Sequence, residues 1–300
     1  MLNRTLSSQF VPAFGSLEQA IQDQPNYDLI ILGMKSYDLE SAVQSLTSTG
    51  SRLPTLMTTQ NGIGVEEIVE CHAEGAGVIA GAVTIPVRRA AGNQLIVEKQ
   101  GRGMGLSTVG ENIPVEPYAA LMQRAGIEVV AVSDYRSMKW SKALLNTMSN
   151  ATSAILDMTP QELYQVPSIV DLETHMLRET LAVIDQQQLE IIDLPGAPAR
   201  WLARGIRIGP YLLMRAILRR GVAGSRGEKM PSFHMDLYSG RKRSEVVFHN
   251  GAIADAGESL GVPVPVNRAL NDTLMRLVTG EADPSWYAHQ PARLLAEVHS

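Results

Sequence analysis

Cysteine is almost missing from this chain: Cys71 stands alone among 300 residues, so no internal disulfide framework can form. That fits a reducing, cytoplasmic setting, and Cys71 itself reads as a small apolar filler. Aromatic residues are scarce, at 5 %. Long apolar runs are missing too. The longest, GVIAGAVTIPV (77–87), falls well short of the roughly 20 residues that cross a membrane. No charged-then-apolar leader opens the sequence, which points to a soluble intracellular protein. The six histidines show no metal-ligand spacing, so no metal is expected, and His234 and His249 read as ordinary loop or helix positions. A formal net charge of −5 argues against nucleic acid as the main partner.

What is present is enough for two domains of ordinary size. The first part alternates strand and helix patterns. YDLIILGMK (27–35) suits a strand buried on both faces, and YDLESAVQSLTSTG an amphipathic helix closed by glycine. LPTLMTTQNG (53–62) reads as strand and turn, and GVEEIVECH as the next helix. GVIAGAVTIPVRR and NQLIVEKQGRGMGLSTVG, split by AAGN, read as a hairpin or a pair of extended edge strands. VEPYAALMQRAG and IEVVAVSD complete the alternation, which predicts a parallel α/β sheet ending near residue 132. From Tyr135 helical patterns dominate, among them HMLRETLAVIDQQQL, GPYLLMRAILRRG and SEVVFHNGAIADAGESLG. DLPGAPARW and the basic RGVAGSRGEKMPS read as loops.

Gly75, Gly77 and Ala80 match the G-x-G-x-x-A spacing of a dinucleotide loop by letter. Context rejects the match, because a helix pattern precedes it and a strand pattern follows, the reverse of what phosphate binding at a helix N-terminus needs. GRGMG (101–105) fails the spacing outright.

Four local patterns carry chemistry. In MKWSKALLNTMSN (138–150), about 100° per residue puts Lys142, Asn146, Ser149 and Asn150 on one helix face, with Leu144, Met148 and Ala151 turned to a core. A solvated face is the bland alternative, yet one cation with short amides suits a small oxygen-rich ligand. Lys35 in LGMKSYDL and Asn61 in TQNGIG each follow a strand, where open parallel sheets bind ligands, although both also suit plain turns. Ser232 and Glu245 frame a polar loop and a helix start in PSFHMDLYSGRKRSEVVFHNG, where a first-turn carboxylate is also favoured by the helix dipole alone.

Between Tyr27 and Asn267 these stretches resemble the ketopantoate reductase (2-dehydropantoate 2-reductase) family. The resemblance rests on K-x-Y-D-L, Q-N-G-x-G, K-W-x-K-x-x-x-N-x-x-x-N, S-x-x-x-D-L…G-R…E-x-x-x-x-N-G and G-V-P-x-P-V-N, in that order. The loop between Asp236 and Glu245 is one residue longer than the family's usual one. The resemblance implies an incomplete Rossmann-like domain over 1–132 and a helical catalytic domain over 133–300. It implies NADPH-dependent reduction of a 2-keto acid, ketopantoate or another small one, in pantothenate synthesis. It assigns Lys142 as proton donor and Glu245 as its helper. Asn146, Asn150 and Ser232 would hold the substrate, and Lys35 and Asn61 would line the cofactor cleft, Asn61 near the nicotinamide. A homodimer through the helical half is the candidate assembly. Family members open with a strand, a glycine-rich phosphate loop, a helix and a strand that reads the 2′-phosphate. This sequence lacks that unit of about 50 residues. The expectation is a recorded start downstream of the natural one, the alternative a truncated paralogue that keeps a binding or dimerising role.

Overall fold

The structure, a computed structural model, describes residues 11–24, 26–50, 52–90, 94–110, 113–209, 216, 218 and 229–298. The AAGN turn, most of the helical pattern over 209–221, the basic loop over 220–228 and the first ten residues therefore lie largely outside the described residues.

After a short helix α1 (Leu17–Asp23), the chain lays down β1 (Leu29–Leu32), α2 (Leu39–Ser48), β2 (Thr55–Thr58), α3 (Val65–His72) and β3 (Val78–Val83). A small hairpin follows, β4 (Val87–Arg89) and β5 (Leu95–Val97), then β6 (Gly103–Val109), α4 (Glu116–Arg124) and β7 (Glu128–Ala131). The main sheet has the order β1-β2-β3-β6-β7. Its first three strands are parallel, β6 runs antiparallel to β3, and β7 runs parallel to β6. The β4–β5 hairpin reverses the chain between β3 and β6, so that pair sits in the middle of the sheet and not at an edge. Strand β1 is an edge among the described residues. Its Ile31 is half exposed, which corrects the expectation of a strand buried on both faces.

Alternation along the strands sorts the core into two layers. Leu56, Val78 and Ala80 pack under α2 and α3, while Met57, Ile79 and Leu106 pack under α4. Cys71 lies exposed on α3 and is no filler.

The helical half begins at α5 (Tyr135–Asn146), whose N-cap Asp134 accepts from the backbone N–H groups of Arg136 and Ser137. It continues through α6 (Asn150–Leu156), α7 (Pro160–Leu163), α8 (Pro167–Gln186) and α9 (Ala199–Ile208). Beyond these lie α10 (Ser232–Tyr238), a 3-10 turn (Glu245–Phe248), α11 (Asn250–Ser259), α12 (Pro265–Thr279), α13 (Pro284–Tyr287) and α14 (Pro291–Val298). Its core is a third cluster that includes Trp140, Leu144, Phe233, Ile253 and Leu270. Among the described residues no helix is long and apolar enough to cross a membrane.

Residues 138–150 do not form one helix. Ser149 takes a left-handed conformation (φ 56°) that breaks α5 from α6. The break has a visible cause in the fully buried Glu173. Its carboxylate accepts from Ser149 N at 2.9 Å, Thr152 Oγ1 at 2.5 Å and Tyr164 Oη at 3.2 Å. The Ser149 N–H, at the N-cap of α6, is open to this carboxylate only because the helix breaks; in a continuous helix it would bond a carbonyl one turn back.

Two contacts press the halves together. A Cβ on Gly105 of β6 would lie 2.5 Å from Leu194 Cδ2 and 2.7 Å from Met138 Sδ, so a larger residue there would make these two buried side chains shift where α5 packs on the sheet. Beneath α5, the buried Lys139 reaches across to Glu66 at 2.9 Å and to the Gln60 carbonyl at 2.8 Å, while Thr58 Oγ1 donates to Glu66 at 2.6 Å. Removing one member of such a buried pair strands the other charge. Lys139→Met should therefore cost about 3–5 kcal/mol in chemical denaturation, and Lys139→Met/Glu66→Leu should recover most of it. A single-variant loss under about 1 kcal/mol would show that the pair does not hold the halves together.

Candidate active site

At the carboxyl ends of β2 and β3 the two halves enclose a cleft of about 580 Å³. Asn61 and Val83 line it from the sheet side; Lys142, Asn146, Asn150, Ser232 and Glu245 line it from the helical side. Six of the seven residues singled out in the sequence thus share one cavity, and the seventh, Lys35, joins it through Glu245.

Glu245 is the hinge of this arrangement. It opens the 3-10 turn that follows the α10 loop, and it is buried. Lys35 Nζ donates to its Oε2 at 2.6 Å, and Ser36 donates to Oε1 through its backbone N–H at 3.1 Å and its hydroxyl at 3.0 Å. The same Ser36 Oγ lies 3.0 Å from the carbonyl oxygen of Asn61. Lys35 also donates to Asp236 at 2.8 Å. Burial alone would raise the Glu245 carboxyl, but its hydrogen bond and attraction to Lys35, with the Ser36 donors, hold it below the usual range. Burial likewise works against the Lys35 charge, and the bonds to Asp236 and Glu245 overcome it and hold that amine above its ordinary value.

Outside the pair, Arg243 contacts Asp38 at 2.7 Å and stacks over the Tyr37 ring at 5.2 Å, while Arg241 donates to Tyr37 Oη at 3.1 Å. The loop between Asp236 and Glu245 is thus pinned to the start of α2.

The loop after β2 is shaped to meet this turn. Gly62 has φ +114°, and a Cβ there would fall 2.7 Å from Phe248 Cβ and 2.8 Å from its carbonyl oxygen. Ile63 N donates to that same oxygen at 2.8 Å, and Gln60 Nε2 donates to the Leu32 and Met34 carbonyls, fixing the loop to the end of β1. Asn61 is presented to the cleft between these anchors.

On the helical wall, Lys142 is buried and its Nζ donates to the carbonyl of Val83 at the end of β3. The break at Ser149 places Asn150 at the start of α6, where its Oδ1 accepts from Phe233 N at 3.2 Å and so holds Ser232 beside it. Asn146 and Asn150 therefore reach the cleft from two helices and not from one shared face. Lys99 and Arg102 add positive charge to the lining. Sequence reasoning passed over Ser36, Lys139, Glu66 and Asp236. All four act between motifs about 70 to 210 residues apart, which no local pattern signals. It also left His249 as ordinary, whereas the ring is buried in the cleft wall. Gly75 and Gly77 fall between α3 and β3, the wrong order for a phosphate loop. No cluster of metal-binding side chains occurs among the described residues.

A cleft between strand carboxyl ends and a helical wall defines the class, a two-part ligand-binding α/β chain. The family is then resolved by similarity. Residues 4–108 match the model described as ketopantoate reductase PanE/ApbA, and residues 134–278 match its C-terminal counterpart. The chain belongs to the ketopantoate reductase family, and the match extends beyond the 27–267 span of the recognisable motifs. It is 28% identical over 258 residues to the 2-dehydropantoate 2-reductase of Archaeoglobus fulgidus, covering 84% of this chain and 76% of that protein. A similar enzyme of Pyrococcus horikoshii is 28% identical over 247 residues, covering 80% and 72%. In fold, the chain is similar to the PanE/ApbA family ketopantoate reductase of Ralstonia eutropha JMP134 (TM-score 0.68, 24% identity, covering 85% and 76%). It is also similar to D-mandelate dehydrogenase in its ternary structure with NADH and anilino(oxo)acetate (TM-score 0.69, 20% identity, covering 85% and 77%).

The Lys35–Glu245 pair makes stability depend on pH at both ends. Glu245, with its carboxyl depressed, contributes above the usual carboxylate range and loses that contribution as pH falls through its lowered value. Lys35, raised from 10.5, contributes fully below 10.5 and loses its part only as pH climbs past it. Thermal unfolding of wild type and Glu245→Gln across pH should show the full gap above the ordinary carboxylate range and a gap that closes only as pH falls through the lowered Glu245 value. A gap that persists unchanged into acid would mean the carboxylate charge is not what matters.

Proposed function

We propose that this protein is an NADPH-dependent 2-keto acid reductase that converts 2-dehydropantoate to pantoate for pantothenate synthesis in the cytoplasm. The observation that carries the reading is the convergence of Lys142, Asn146, Asn150, Ser232 and Glu245 on one cleft that Asn61 faces from the sheet side. The substrate is taken from its relatives, which are 2-dehydropantoate 2-reductases. In this reading residues 1–132 are the cofactor domain and residues 133–300 the substrate and catalytic domain, with a homodimer as the assembly, as in the dimeric ketopantoate reductase of Staphylococcus aureus, a neighbour of similar fold.

Asn61, just past β2, and the Val83–Thr84 strand end line the sheet wall that would meet the nicotinamide, and their amide and carbonyl groups suit a carboxamide ring. When bound, NADPH supplies the hydride that the keto carbon accepts. Negative charge then builds on the keto oxygen. The Lys142 ammonium turns from the Val83 carbonyl to that oxygen, stabilises the charge and delivers the proton. Burial strengthens that interaction by keeping water from competing. Asn146, Asn150 and Ser232 orient the keto acid through its carboxylate and hydroxyl without adding a second cation. Glu245 keeps the sheet loop and the helical wall in register while Lys35 neutralises it.

A second reading, another 2-keto acid with a bulkier side chain, is favoured by the apolar part of the lining, which includes Met148, Trp201, Leu202, Met230 and Met235. A panel of keto acids compared by kcat/KM decides between them. For either substrate, keto-acid-dependent NADPH consumption should fall by roughly 10²–10⁴ in kcat for Lys142→Ala. Asn146→Ala should instead raise KM for the keto acid with the NADPH affinity unchanged. Near-normal turnover by Lys142→Ala would remove the lysine from the chemistry and the proposal with it.

A further inference from the structure

His249 closes the 3-10 turn that Glu245 opens and leads directly into α11. Its ring is 2 % exposed, lines the same cleft as Lys142 and Ser232, and lies edge-on to Phe233 with centroids 5.3 Å apart and planes at 77°. The backbone around it is fully engaged: His249 N donates to the Val246 carbonyl at 3.0 Å and its own carbonyl accepts from Ile253 N at 3.0 Å. The imidazole is different. Nδ1 is buried and has no hydrogen-bond partner among the described residues. A buried polar atom left unpaired is costly, and native structures tolerate it chiefly where a ligand or an ordered water completes it. Neither Phe233 nor the turn backbone offers it a partner, and His249 is one of the residues that line the cleft.

We propose that His249 is a further substrate-binding residue, its imidazole hydrogen-bonding an oxygen of the bound 2-keto acid. This rests on the reading of the cleft as a keto-acid site.

The surroundings favour a neutral ring. Glu245 lies on its own turn, Lys139 and Lys142 face it from α5, and Lys35 faces it from the loop after β1. Burial, aided by the three lysines and opposed by Glu245, pushes its pKa down to about 4. At neutral pH the ring then keeps one N–H donor and one bare nitrogen acceptor. Such a group can hold a carboxylate, keto or hydroxyl oxygen without competing with Lys142 for the charge that builds during reduction. The edge contact with Phe233 holds the ring plane, so little side-chain freedom remains to be lost on binding.

The test uses the full chain with its histidines labelled with ¹⁵N, titrated with 2-dehydropantoate and compared calorimetrically with H249Q, H249L and N146A. The expected result is an imidazole nitrogen signal that moves on adding the keto acid and is absent from H249Q. Binding should weaken about tenfold in H249L, the worth of one hydrogen bond, and less in H249Q, whose amide retains donor and acceptor. The thermal midpoint of H249L should stay level or rise, because an unpaired buried polar atom gives way to an apolar side chain. Wild-type affinity in H249L, with N146A weakened, overturns the role of His249 and leaves the keto-acid site standing. Loss of affinity and thermal midpoint together, with no imidazole signal moving, makes His249 a packing residue and also overturns it. If the wild-type chain itself binds no keto acid, the reading of the cleft falls as well.

Discussion

The carboxylate of Glu245 is buried where two separately cored halves of the chain meet, and among the described residues its hydrogen-bond partners come from the other half. Lys35 Nζ, the Ser36 N–H and the Ser36 hydroxyl all come from the loop after β1, whereas Glu245 belongs to a turn of the helical half. An unpaired carboxylate at this depth would be strongly disfavoured, so any motion that separates the halves exposes it to that cost. The cleft inherits its shape from this requirement. Ser36 positions the Asn61 backbone, Asn61 forms the sheet wall, and the turn that carries Glu245 leads into His249 on the opposite side.

A second buried carboxylate performs a comparable task inside the helical half. Glu173 accepts from the Ser149 N–H and the Thr152 hydroxyl and so holds a break in what local propensity would join, at the cost of one left-handed serine, on the order of 1 kcal/mol. The break places Asn150 where its amide oxygen caps the start of α10, which fixes Ser232 relative to Asn146. Polar groups set back from the cleft thus fix the angles between those that line it, and Lys139 with Glu66 sets the distance between α5 and the sheet.

Strand alternation, amphipathic helices and the change of character after residue 132 made the two-part α/β and helical organisation readable from the sequence. The motifs made six cleft residues readable, because K-x-Y-D-L and S-x-x-x-D-L…G-R…E turn out to meet: Lys35, Tyr37 and Asp38 contact Asp236, Arg241, Arg243 and Glu245. Their co-occurrence in one sequence has a physical basis in that contact. Three features were not readable. Helix periodicity carried Asn150 onto the face of Lys142, since Glu173 acts from 24 residues away and leaves no mark on residues 138–150. The exposure of Ile31 depends on where β1 sits in the sheet, which hydropathy does not encode. His249 looked ordinary because one histidine in a helical pattern gives no sign of what lies beside it in space.

The central claim is that the cleft works only while Glu245 holds its two walls together. The most direct test is calorimetric titration of 2-dehydropantoate, without NADPH, into the wild-type chain and Lys35→Met. Lys35 reaches the cleft through Glu245, so the account predicts several-fold weaker keto-acid binding in Lys35→Met together with a lower thermal midpoint. Unchanged affinity in a Lys35→Met chain whose midpoint has fallen would contradict it, and would confine Lys35 to holding the halves together or to touching the cofactor.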